Sequence, residues 1–187
     1  LEKIDMVRHL VPTGILRHRA PTASLPVGSR SGRMRAQTNS MEPSGLPRLV
    51  VCVGASTGGP AALINLVKRL PLQANLAMVI AQHMPETFTH SFAQRLSRLG
   101  KLEISEVLEP RDVNRGEGYV CPGGTCMEIL SEGGRIRVAS VPARPDDPYV
   151  PSVDRLFSSA AAVLGRRMVA VVLTGMGDDG SRSLQAV

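Results

Sequence analysis

The feature that most constrains the fold is a change of texture after Arg48, where short apolar runs begin to alternate with amphipathic segments. Alternation of this kind is typical of a parallel sheet covered by helices. Strands are predicted at 49–53, 77–81 and 168–173, and helices at 60–70, 87–99 and 153–164. We therefore predict an α/β fold with a doubly wound, mostly parallel, Rossmann-like sheet in three layers.

The segment between the second and third predicted helices is richer in turns and predicts four short strands. These strands fall at 103–107, 119–121, 127–130 and 135–138. Pro-Gly-Gly-Thr at 122–125 is expected to join the middle two as a hairpin, and Gly133-Gly134 to join the last two. The predicted fold therefore carries a β-hairpin insertion.

The first 48 residues differ from the rest in charge and composition. They hold eight Lys or Arg against three Asp or Glu, whereas the remainder holds fourteen against thirteen. Apolar residues at 1, 4, 7 and 10 predict a helix within 1–11, and 12–48 reads as a basic linker rich in Pro, Gly and Ser. The folded part, 49–187, is thus not basic, and the chain has only five aromatic residues. We predict no nucleic-acid binding, and the lack of a long apolar run predicts no membrane insertion. The expected location is the cytoplasm.

The first candidate functional residue is Ser56, in Gly54-Ala55-Ser56-Thr57-Gly58 directly after the first strand. This spacing fits a Gly-x-Ser-x-Gly elbow, where glycines allow a tight turn from strand to helix that exposes a nucleophilic hydroxyl. The helix N-terminus supplies N–H groups that can stabilise an oxyanion. The alternative is a glycine-rich turn that cradles a phosphate, although neither the Gly-Lys-Ser/Thr end of a Walker loop nor the Gly-x-Gly-x-x-Gly pattern of a dinucleotide loop is present.

Two further candidates follow the other parallel strands. His83 comes directly after the second, and Asp178 and Asp179 follow the third. Imidazole is the usual base for a serine hydroxyl near neutral pH, and an acid can orient it. Because active sites of open α/β sheets lie at the carboxyl ends of the strands, the three positions are expected to meet there. The order Ser, His, Asp differs from that of the α/β hydrolases.

The chain resembles the CheB methylesterase domain in four ordered segments. These are Val-Gly-Ala-Ser-Thr-Gly-Gly-Pro at 53–60, Gln-His-Met-Pro at 82–85, Pro-Ser-Val-Asp-Arg-Leu-Phe at 151–157 and Leu-Thr-Gly-Met-Gly-Asp-Asp-Gly at 173–180. The resemblance implies Ser56 as nucleophile, His83 as base and Asp179, rather than Asp178, as its orienting partner. It also implies that Thr57, Gly58 and Met176 line the site, and that no cofactor or metal is needed.

The activity implied by this resemblance is that of a protein-glutamate methylesterase, with receptor glutamine deamidation as a related reaction. The implied partners are methyl-accepting chemoreceptors and an upstream receiver domain phosphorylated by a histidine kinase, with 1–11 as the receiver's last helix. Two departures stand out. Cys126 occupies the position of a family histidine, and the family continues beyond Val187, so part of the catalytic domain is expected to be missing here. A general serine esterase or amidase and a non-catalytic nucleotide-binding module are the alternatives.

Overall fold

The structure, a computed structural model, describes residues 45–71 and 75–186. Eight strands and three α-helices account for most of them. The strands are β1 Leu49–Ala55, β2 Leu76–Gln82, β3 Glu103–Glu106, β4 Arg111–Asp112, β5 Glu117–Val120, β6 Thr125–Glu132, β7 Arg135–Pro142 and β8 Met168–Val172. The helices are α1 Gly59–Arg69, α2 Glu86–Leu99 and α3 Val153–Leu164. The predicted helix at 1–11 and nearly all of the predicted linker lie outside the described residues.

The main sheet has five strands in the order β3-β5-β2-β1-β8, and every neighbouring pair is parallel. Side chains of β1 alternate between two apolar clusters, as the period of two in a strand requires. Val53 and Ala55 pack with Leu63 of α1 and Phe92 of α2 on one face. Cys52 lies on the other face, in a cluster with α3. Helices therefore cover both faces, which confirms the predicted α/β fold.

The second sheet is antiparallel, with the order β4-β7-β6. Its hairpin of β6 and β7 turns at Gly133 and Gly134 as predicted, and Met127 and Ile129 of β6 pack in the same cluster as α3. The two-residue strand β4 was not predicted, because so short a segment carries no periodicity.

The hairpin predicted at 122–125 is wrong, because β5 and β6 belong to different sheets. Both edges of β5 are already occupied, by β2 on one side and β3 on the other, so no edge is left for β6. The turn instead carries the chain from one sheet to the other. At Gly123 a Cβ would lie 2.3 Å from the backbone nitrogen of Glu86, so glycine lets this crossing pack against the start of α2.

Candidate active site

The carboxyl ends of β1, β2 and β8 meet at one edge of the main sheet. The His83 N–H donates to the Ala55 carbonyl at 2.9 Å, and the Ser56 N–H donates to the Thr174 carbonyl at 3.1 Å. The first bond lies one residue beyond the last pair of β1 and β2, and the second lies two residues beyond the last pair of β1 and β8. The three segments that the sequence placed at strand ends are therefore neighbours in space.

The turn after β1 depends on close backbone approaches that only glycine permits. Gly58 has a φ of +79°, and it forms the N-cap of α1. From the β8 side, Gly175 lies so close that a Cβ there would be 2.6 Å from the Cβ of Ser56. The Ser56 side chain is consequently held between two glycine-dependent turns while remaining half-buried.

His83 and Asp179 are in direct contact. The Nε2 atom of His83 lies 2.8 Å from Oδ2 of Asp179. The imidazole side chain is 19% exposed and the carboxylate only 3%. Asp178, the other candidate acid, is 63% exposed and contacts Tyr149 and Arg182. The structure thus brings the second aspartate, and not the first, against the histidine.

The Asp179 carboxylate lies at the N-terminus of α3. Its Oδ2 accepts the Val153 N–H at 2.8 Å, and its Oδ1 accepts the Asp154 N–H at 2.9 Å. Burial by itself would raise the pKa of Asp179, but hydrogen bonds from His83 and these two N–H groups outweigh it and hold the pKa below its ordinary value. The carboxylate is therefore ionised at neutral pH, with both oxygens fixed in place.

The bond with Asp179 also determines the tautomer of His83. Because an ionised carboxylate only accepts, Nε2 carries the proton that it donates to Asp179. The Nδ1 atom is then the unprotonated nitrogen and can accept a proton. In the described part of the chain the Ser56 hydroxyl makes no hydrogen bond with the ring. Catalytic hydrogen bonds often tighten only when substrate binds.

Tyr149 is a site residue that the sequence analysis missed. Its ring stacks on His83 with a centroid separation of 5.3 Å and an angle of 7° between the planes. Its hydroxyl donates to Oδ1 of Asp178 at 3.1 Å. The loop that carries Tyr149 is fixed in place by Asp147, whose Oδ2 accepts a hydrogen bond from Arg155 at 2.7 Å. Tyr149 therefore covers one face of the imidazole and restricts rotation of the ring.

Gln82 is a second residue at the site to which the sequence assigned no role beyond the end of a strand. Its buried side-chain amide donates to the Ser56 carbonyl at 3.1 Å and to the His83 carbonyl at 2.9 Å. One side chain therefore ties the turn after β1 to the turn after β2. A polar residue ending an otherwise apolar strand was the available signal in the sequence.

A cavity of about 520 Å³ opens beside Ser56 and His83. Its wall comes mainly from the segments after β1 and β2 and from α2, and it combines apolar groups with hydroxyl groups and one cation. The lining residues are Ser56, Thr57, Gly58, Pro60, Gln82, His83, Met84, Pro85, Phe88, Ser91, Phe92 and Arg95. Two of the three predicted lining residues, Thr57 and Gly58, are among them. Met176 is not, and its side chain is 80% exposed.

Two backbone N–H groups beside Ser56 are available to a ligand. Those of Thr57 and Gly58 donate to no other group within residues 45–71 and 75–186. Both residues lie at the N-terminal end of α1, whose peptide dipoles favour negative charge. An oxyanion formed at Ser56 would meet two donors and a positive helix end there.

Cys126, at the position where the resembled family has histidine, lies away from this cavity. It is buried, and its thiol donates to Oδ2 of Asp147 at 3.6 Å. Burial raises the pKa of Cys126 above its ordinary value, which keeps the thiol protonated as a donor.

Among residues 45–71 and 75–186, no helix is long and apolar enough to cross a membrane.

Comparison with known proteins gives a consistent assignment. The family model described as CheB methylesterase matches residues 51–187. A protein-glutamate methylesterase/protein-glutamine glutaminase of Myxococcus xanthus is 40% identical, over 100% of this chain and 49% of its own length. One of Geobacter sulfurreducens is 41% identical, over 99% of this chain and 52% of its own length. The chain thus spans about half the length of the curated relatives it matches.

A solved structure agrees with these sequence matches. The CheB methylesterase catalytic domain of Thermotoga maritima superposes with a TM-score of 0.70 at 31% identity, covering 74% of this chain and 73% of that one. The family match covers nearly the whole segment that forms the two sheets. This chain therefore belongs to the CheB methylesterase family.

Proposed function

We propose that the protein hydrolyses γ-glutamyl methyl esters on chemoreceptors, with Ser56, His83 and Asp179 as its catalytic triad. The observation that carries the proposal is the contact of His83 with a buried, ionised Asp179, at the sheet edge where Ser56 follows β1. The names of the relatives support the ester and amide specificity.

The reaction would proceed by acyl transfer. Nδ1 of His83 takes the hydroxyl proton as Oγ of Ser56 bonds to the ester carbonyl carbon, and the carbonyl oxygen becomes an oxyanion. The N–H groups of Thr57 and Gly58 stabilise that charge. The C–O bond to the methoxy group then breaks, and methanol leaves with the proton from His83.

Water completes the cycle by the same route in reverse. His83 takes a proton from water as the oxygen attacks the acyl-enzyme. The bond to Ser56 then breaks, the imidazolium returns that proton to Oγ of Ser56, and glutamate is released. A glutamine side chain can follow the same steps with ammonia as the leaving group. Asp179 keeps Nε2 protonated throughout, and its charge stabilises the imidazolium formed in each half-reaction.

The direct test is methanol release from methylated chemoreceptor by the full-length protein. We expect Ser56→Ala to abolish release and labelling by a fluorophosphonate. Ser158→Ala, an exposed serine of α3, is the matched control and should behave as wild type. Release by the Ser56→Ala protein at the wild-type rate would end the proposal. Turnover of simple esters without turnover of receptor would instead favour a general esterase.

The proposal extends to regulation in the whole protein. Residues 1–11 would form the last helix of a receiver domain, and 12–48 would link that domain to the catalytic domain at 49–187. The unphosphorylated receiver domain would block the active site, and its phosphorylation by a histidine kinase would relieve that blockage. The match of the Myxococcus relative over all of this chain, residues before 51 included, supports this organisation. Receptor demethylation by full-length protein should rise when phosphoryl donor is added, and an unchanged rate would argue against it. The cytoplasm is the location that fits these partners.

A further inference from the structure

A second cavity is lined by residues of α1 and α2. Its volume is about 410 Å³, and Ile64, Lys68, Arg95, Arg98 and Leu99 line it. Arg95 lines both cavities, so the two adjoin at this side chain. We call the two together the α1–α2 trough. Its lining residues extend from Ser56 to the last turns of the two helices.

One stripe of α2 forms much of this trough. Phe88, Ser91, Phe92 and Arg95 line the first cavity, and Arg95, Arg98 and Leu99 line the second. Steps of three or four residues keep these side chains on a single helical face. Since a helix rises 1.5 Å per residue, the stripe from Phe88 to Leu99 is about 16 Å long. The trough is therefore long enough to hold a peptide segment in addition to one reacting side chain.

The trough carries positive charge that no carboxylate of the described residues pairs with. Lys68, Arg95 and Arg98 have no carboxylate within 4 Å among residues 45–71 and 75–186. The helix α1 contains no acidic residue, and the only one in α2 is Glu86 at its start. Arginines of the second sheet and of α3 are paired by contrast, as Arg137 is with Glu132 and Arg155 with Asp147.

Stabilisation of helix ends accounts for only part of this charge. Lys68 and Arg98 lie in the last turns of their helices, where cations interact favourably with the helix dipole. Arg95 lies a turn earlier and lines both cavities, so the same reason does not apply to it. The apolar groups beside the cations are accessible as well, since Phe88 is 57% exposed and Leu99 37%.

We propose that the α1–α2 trough binds an acidic, amphipathic segment of the substrate polypeptide that flanks the reacting glutamyl ester. This rests on the proposed function. Apolar side chains of that segment would pack on Ile64 and Leu99, and its carboxylates would meet Lys68, Arg95 and Arg98. Along the stripe of about 16 Å, such a segment would extend over about eleven residues as a helix, or about five as an extended strand. Each hydrolysis adds a carboxylate, so a polypeptide with several esters would bind better as it is processed.

The test uses full-length protein, methylated receptor and a small ester, N-acetylglutamate γ-methyl ester, that cannot reach the second cavity. We expect Lys68→Glu/Arg98→Glu to lower kcat/KM for receptor about fivefold to twentyfold through KM, and to weaken its dependence on ionic strength. Its small-ester rate should stay at the wild-type value. Arg115→Glu/Arg166→Glu makes the same change of charge at exposed positions that precede β5 and β8, and should leave both rates unchanged.

The possible outcomes distinguish failure of the trough proposal from failure of the catalytic proposal. Wild-type receptor kinetics in Lys68→Glu/Arg98→Glu would overturn the trough and leave the catalytic proposal standing. A rise in receptor turnover would mean that the trough normally holds another part of the protein, which also overturns it. If wild type hydrolyses neither receptor nor small ester, the catalytic proposal fails and the trough fails with it. Far-ultraviolet circular dichroism checks that every variant is folded.

Discussion

Replacing Asp179 by asparagine tests the proposed triad most sharply, because the carboxylate serves three donors at once. These donors are Nε2 of His83 and the N–H groups of Val153 and Asp154, at 2.8, 2.8 and 2.9 Å. An amide has one oxygen and one NH₂ group, so it cannot accept on both sides. If its nitrogen faces His83, Nε2 must become the acceptor and the proton moves to Nδ1, the atom that should receive the proton of Ser56.

The expected loss of activity is large. An asparagine in place of the orienting aspartate of a serine triad lowers kcat by about four orders of magnitude, because the tautomer is wrong. We expect kcat for methanol release by Asp179→Asn to fall by about 10² to 10⁴, with KM nearly unchanged. The matched control is Asp178→Asn, whose exposed carboxylate accepts the Tyr149 hydroxyl at 3.1 Å and lies 3.9 Å from the guanidinium of Arg182. It should keep kcat within about threefold of wild type.

The same variant should lose stability. One buried N–H group at the start of α3 is left facing a donor, which costs about 1–3 kcal/mol, and the helix end loses a negative charge worth about 0.3–1 kcal/mol. We therefore expect the free energy of unfolding to fall by about 1–4 kcal/mol at neutral pH, measured by urea denaturation.

The stability difference should depend on pH in a defined direction. Because the pKa of Asp179 is lowered in the folded state, its contribution is fully present above its ordinary pKa of about 4 and is lost as pH falls through the folded value. The gap between wild type and Asp179→Asn should thus be constant near neutrality and shrink below about pH 4. A variant with more than a tenth of wild-type kcat, or a gap that widens in acid, would refute the reasoning.

Substitutions at three further positions test the residues around the triad. Tyr149→Leu should lower kcat about threefold to tenfold at unchanged KM and remove the ring-current shift of the His83 proton signals. Tyr149→Phe keeps the stacked ring and should show the wild-type kcat and ring-current shift. Equal activity in the two variants would contradict a positioning role. Gly175→Ala places a methyl group 2.6 Å from the Cβ of Ser56. Because this displaces the nucleophile, kcat of the variant should fall at least tenfold. An unchanged kcat would show that the turn accommodates the methyl group without moving Ser56. Gln82→Leu removes two hydrogen bonds to the carbonyls of Ser56 and His83 and should lower the free energy of unfolding by about 1–3 kcal/mol in urea; wild-type stability would count against the bracing role.

Local features of the sequence determined most of the fold and the placement of the candidate site. Apolar runs with period two and helices with period 3.6 depend only on neighbouring residues, so β1, β2, β8 and α3 were predicted to within two residues. The convergence of Ser56, His83 and the 178–179 pair also followed from the sequence, because carboxyl ends of parallel strands share one edge.

Tertiary structure alone decided the features that depend on partners distant in the chain. The turn at 122–125 has hairpin chemistry, yet it joins two sheets because β2 and β3 already occupy both edges of β5. Only the position of α3 determines that Asp179 contacts His83 while Asp178 stays exposed, because the N–H groups of Val153 and Asp154 bind the second carboxylate. Tyr149 reached the imidazole from a loop 66 residues further along the chain. No local pattern reports such contacts, since hydrogen bonding and stacking between distant segments arise only when the helical and sheet layers pack.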